Sequence, residues 1–71
     1  MKQEQINDIK DVMALLLGRI FTDATECLQI TNELADEVVE DIEETADKDF
    51  NDSDIRIALV RVLQKRIGIN N

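Results

Sequence analysis

The 71-residue sequence has no histidine, proline, tryptophan or tyrosine, and holds one cysteine, two glycines and two phenylalanines. Without histidine the chain lacks the commonest general base and the commonest metal ligand. Ser-His and Cys-His nucleophilic pairs within one chain are thereby excluded. A lone cysteine forms neither an internal disulfide nor a thiolate metal cage. Cys27 has the acids Asp23 and Glu26 as neighbours, whereas a reactive thiolate needs a positive one. It reads as a small core residue, and this sparing usage fits a reducing compartment. The longest apolar run, residues 12–17, is six residues, far short of the ~20 that span a bilayer. Glu4, Asp8 and Asp11 precede that run, where a signal peptide has a basic start. These absences lead us to expect a cytoplasmic protein with no membrane partner.

What remains is aliphatic and acidic. Apolar residues make up 44% of the chain, too many for a disordered acidic tail. The absence of proline and the scarcity of glycine and aromatics favour helix over strand. Ile6, Ile9, Met13, Leu16, Leu17 and Ile20 recur every three or four positions, the period of a helix with one apolar face. A first helix is expected near 3–20, fraying towards Phe21 because Gly18 costs it about 1 kcal/mol relative to Ala.

The next stretch is open to two readings. Asp23 with Glu26 three residues on resembles a capping box, after which Ala24, Cys27, Leu28 and Thr31 share a face. Thr31 and Asn32 look like a second start signal, and Leu34, Ala35, Val38, Val39, Ile42 and Ala46 continue the period. Either one helix runs from about 23 to 46, or a short helix near 23–30 meets a longer one at 33–46. The adjacent β-branched and capping residues favour the break.

The third start is the sharpest. Asn51 can cap with Asp54 in the reciprocal position, and Phe50 and Ile55 are spaced as a hydrophobic staple. Asp52 and Asp54 suit the positive start of a helix, and Lys65 and Arg66 suit its negative end. Gly68 suits the left-handed position that terminates it. A helix near 52–67 would point Ile55, Ala58, Leu59, Val62 and Leu63 at the core. Ile57 and Val60 would leave on the other side, as candidates for self-association. The fold class expected is all-α: one domain over 1–71, a small three- to four-helix bundle.

Size sharpens that expectation. A chain this short buries only about 60% of its unfolded surface and has no disulfide or metal staple. We therefore expect a homo-oligomer, most simply a two-fold dimer.

Charge is segregated along the chain. Residues 1–32 hold three cations against five acids, residues 33–54 one cation against eleven, and residues 55–71 four cations and no acid. One reading packs a solvated acidic helix beside a basic one, with Arg56, Arg61 and Arg66 compensating the acids of 33–44. The other makes Glu33, Asp36, Glu37, Glu40, Asp41, Glu43 and Glu44 an acidic docking face. Its partner would be a basic protein, met by a regulator or by a decoy that displays carboxylates as nucleic acid displays phosphates. Direct nucleic-acid binding is not expected, because the cations of 56–66 scatter around their helix and the net charge of −8 repels phosphate.

Three motif fragments stop short of chemistry. Asp47, Asp49, Asn51 and Ser53 alternate like the first ligands of a calcium-binding EF-hand loop, but Asp52 stands where its glycine belongs and Ala58 where its bidentate glutamate belongs. Asn51-Asp52-Ser53 fits a glycosylation acceptor, which has no use in a cytoplasmic protein. Asp52-Ser53 resembles the start of the Asp-Ser-Leu motif that carries the phosphopantetheine arm of acyl carrier proteins. Asp54 replaces the leucine, and 18 residues follow Ser53 where that family has two further helices. We expect no cofactor, no metal and no enzyme activity.

Overall fold

In a computed structural model, which describes residues 1–46 and 49–68, the helical periodicities become three α-helices: α1 (Gln3–Leu17), α2 (Ala24–Thr45) and α3 (Asp52–Ile67). Each helix packs against both others, and the described residues include no strand. The cross-contacts fix an up-down-up order. Cys27 Sγ lies 3.6 Å from the Ala14 carbonyl oxygen, and the Met1 amino group 3.9 Å from Glu43. Arg61 and Arg66 of α3 reach back to Asp41 and Glu37 of α2.

One face of each helix meets in a shared aliphatic interior. Ile9, Met13 and Leu17 enter from α1, then Leu34, Ala35, Val38 and Ile42 from α2, and Ile55, Ala58, Leu59 and Val62 from α3. Val12, Leu16, Phe21, Ile30, Val39, Phe50 and Leu63 close its margins.

The first helix ends earlier than its periodicity indicates, at Leu17 rather than near residue 20. Gly18 N donates to Ala14 O at 2.8 Å, and residues 18–20 form a turn. A Cβ built on Gly18 would stand 2.9 Å from that same carbonyl oxygen, so only glycine fits without displacement. The turn exchanges two side chains: Phe21 packs on the core, and Ile20, assigned to the core stripe by its spacing, is exposed. Leu28, placed on an inward face with Cys27, is exposed as well.

The expected break near Thr31 does not occur, and α2 runs uninterrupted for 22 residues. The Thr31 hydroxyl donates to the Cys27 carbonyl oxygen at 2.8 Å. This bond within the preceding turn satisfies a buried polar group without opening the helix. The actual start is Asp23, whose carboxylate accepts from Glu26 N at 3.1 Å.

The signals of α3 act as the sequence indicates. Asp54 N donates to Asn51 Oδ1 at 3.1 Å, while Asn51 N donates to Asp54 Oδ2 at 2.9 Å, so both halves of the capping box close. Gly68 ends the helix with φ 77°, a backbone conformation that costs other residues a steric penalty.

These roles differ in what they cost to lose. Ile42 is almost wholly buried, so Ile42→Ala should destabilise the fold by about 2–5 kcal/mol, whereas Asn51→Ala should cost about 1 kcal/mol. Urea denaturation measures both, and a smaller loss for Ile42→Ala than for Asn51→Ala would contradict the packing described.

Candidate functional site

Two surfaces stand out from the bundle, one on α2 and one on α3. The helical repeat turns Glu33, Asp36, Glu37, Glu40, Glu43 and Glu44 away from the buried residues of α2, and all six are exposed. Glu26 lies on the same side two turns before them, so carboxylates line most of the helix, ~27 Å at 1.5 Å per residue.

Asp41 belongs elsewhere. Its side chain is only 9% exposed and faces α3. Arg61 Nε donates to both carboxylate oxygens at 3.0 and 3.1 Å, and its Nη2 bonds one of them and the Thr45 hydroxyl. The Thr45 hydroxyl donates to the Asp41 carbonyl oxygen at 2.7 Å. The hydrogen bond from Arg61 holds the Asp41 carboxyl below its ordinary range; burial opposes this, and the charges of Arg61 and Lys65 and the Thr45 hydroxyl add to it. Asp41 is therefore part of the α2–α3 junction and not of an open acidic face.

Arg66 Nη2 donates to Glu37 Oε1 at 3.1 Å, with both side chains about half exposed. Such a pair contributes little to stability. Compensation of the α2 acids by α3 thus runs through Arg61 and Arg66, whereas Arg56 makes no ion pair among the described residues. Between the two helices lies an open groove of about 340 Å³, lined by Glu37, Glu40, Glu44, Val62, Lys65 and Arg66 beside the Asp41–Arg61 pair.

The outer face of α3 has the opposite character. Ile57 and Val60 are 49% and 46% exposed. Ser53, Gln64 and Ile67 lie on the same side and are also exposed. Read along the helix, Ser53, Ile57, Val60, Gln64 and Ile67 are spaced four, three, four and three. That is the heptad spacing of a helix-pairing seam. The sequence singles out Ile57 and Val60 alone, although the 4-3 spacing around them was a legible signal for the whole row.

Elsewhere the charged pattern returns. The outer side of α1 carries Glu4, Asp8 and Asp11 with Leu15, all exposed. Of the three outward faces, α3's is the one with no charged residue in its row.

Nothing in the described part gathers metal ligands: no group of three or more histidine, cysteine or acidic residues could hold an ion. Asp47, first in the EF-hand-like alternation, lies outside the described residues, while Ser53 is already in the first turn of α3. Among the described residues no buried polar side-chain atom lacks a hydrogen-bond partner, and no helix is long and apolar enough to cross a membrane. No family model, curated protein or solved structure matches this chain.

The Asp41 carboxyl is held below its ordinary value of 3.8 in the folded state. Its contribution to stability is therefore complete above that value and is lost as pH falls through the lower, folded one. Asp41→Asn should flatten the acid limb of the stability–pH curve below pH ~4. Urea midpoints taken across that range read the effect, and acid limbs of equal steepness would contradict it.

Proposed function

We propose that this chain is a small, acidic, non-enzymatic interaction module that self-associates through the outer face of α3. One observation carries the reading: α3 alone presents an outward row without charge, and that row includes two half-exposed β-branched residues. A two-fold contact lays a surface against its own image. Pairing by α1 or α2 would set carboxylates against carboxylates, whereas pairing by α3 sets Ile57 and Val60 against apolar partners. It also leaves both acidic α2 faces turned to solvent.

The energetics point to a reversible dimer. Full burial of an Ile or Val contributes about 1.5–3 kcal/mol, and these two are already half covered. The remaining gain is about 1 kcal/mol per side chain, or about 4 kcal/mol over the four in a pair, in keeping with weak association in the millimolar range. Sedimentation velocity should give a concentration-dependent dimer. Ile57→Asp/Val60→Asp should raise the dissociation constant more than tenfold, about 1.4 kcal/mol, with helical content unchanged because neither residue is in the core. An 8.1 kDa monomer at every accessible concentration would refute self-association.

A second reading is favoured by the α2 carboxylates that no α3 cation reaches: Glu33, Asp36, Glu40, Glu43 and Glu44 form a docking face for a basic protein. Salt separates the two. A partner held by carboxylates is lost as the Debye length shrinks, and a seam of apolar side chains is not.

A further inference from the structure

We infer that two copies of this chain pair through α3 in an antiparallel sense, with Ile57 of each copy packed against Val60 of the other. The inference rests on the self-association reading and adds an orientation and a register to it. Ser53, Ile57, Val60, Gln64 and Ile67 form a single row of ~21 Å, at 1.5 Å rise per residue. Two such rows can meet head-to-head or head-to-tail, and the charges beside the row distinguish these.

In a parallel pair the residues flanking a seam face each other five positions apart. Arg56 of one copy would then lie beside Arg61 of the other, whose guanidinium is already held by Asp41, so no favourable flanking pair forms. The ends of the helix oppose a parallel pair as well. The first turn holds Asp52 and Asp54, and the last turn Lys65 and Arg66. A parallel pair gathers like charges at each end. An antiparallel pair sets each acidic first turn beside a basic last turn, as electrostatic complementarity requires. It also opposes the two helix dipoles.

The register follows from matching like with like. When Ile57 faces Val60 of the second copy, Ser53 faces Gln64 on either side of the two central apolar layers. The outer layers can then hydrogen-bond while the inner ones exclude water. A slide of one heptad either way puts Val60 against Gln64 or Ile57 against Ser53, which buries a polar group against an apolar one.

Disulfide trapping decides the matter. Ser53→Cys and Gln64→Cys are prepared as separate variants; both positions are exposed and neither change touches the core. Each is oxidised alone and as an equimolar mixture. The bonds are mapped by peptide mass spectrometry, which separates them from any bond to the buried Cys27. An antiparallel pair gives the 53–64 bond in the mixture and neither variant dimerises covalently by itself. Bonds within the single variants, 53 to 53 or 64 to 64, would show a parallel pair and overturn the orientation while leaving self-association standing. A dimer by sedimentation that yields none of these bonds would place the seam elsewhere. A monomer by sedimentation would remove both the orientation and the reading beneath it.

Discussion

Each of the three helices has a single stripe of aliphatic side chains, and each stripe is covered by the other two helices. Ile9 and Met13 from α1, Val38 and Ile42 from α2, and Ile55 and Val62 from α3 fill one interior, and every other feature is subordinate to that closure. An aliphatic core of this kind is held by shape and area, without hydrogen bonds to set register. Specificity of arrangement is left to the ends and edges: the Asn51–Asp54 capping box, the tight turn at Gly18, and the Asp41–Arg61 junction.

The distribution of charge follows from the same geometry. Once the inward stripes are buried, α1 and α2 have acids facing solvent, and α3 is left to neutralise what lies beside it. Arg61 does so in a partly sheltered setting where geometry is good, and Arg66 in an open one where it contributes little. The basic character of α3 is spent on its flanks, which leaves its outermost row free of charge.

How far the sequence reveals this varies by element. The third helix was readable almost to the residue, because its start and stop are set by local hydrogen bonds and by one left-handed glycine, and local chemistry is written locally. The second helix is ambiguous in sequence at Thr31, since a threonine hydroxyl can either cap a new helix or bond back into the old one, and only burial among Cys27, Leu34 and Ala35 decides between them. The core position of Ile20 failed for a related reason: periodicity assumes a continuing helix, and Gly18 ends it, whereas Leu28 lies within the continuous α2 at the edge of its buried stripe and is exposed. On the surface, Ile57 and Val60 were legible as outward apolar residues. The removal of Asp41 from the acidic face was not, because it depends on an arginine twenty positions away.

The contact between Cys27 and the Ala14 carbonyl has a consequence of its own. The thiol is buried against the Ala14 carbonyl of α1, so a reagent meets the sulfur when α1 and α2 part there. The chain's one sulfhydryl thus serves as a built-in clock for the breathing of its amino-terminal half, blind to events at the opposite side of the molecule where α3 faces outward.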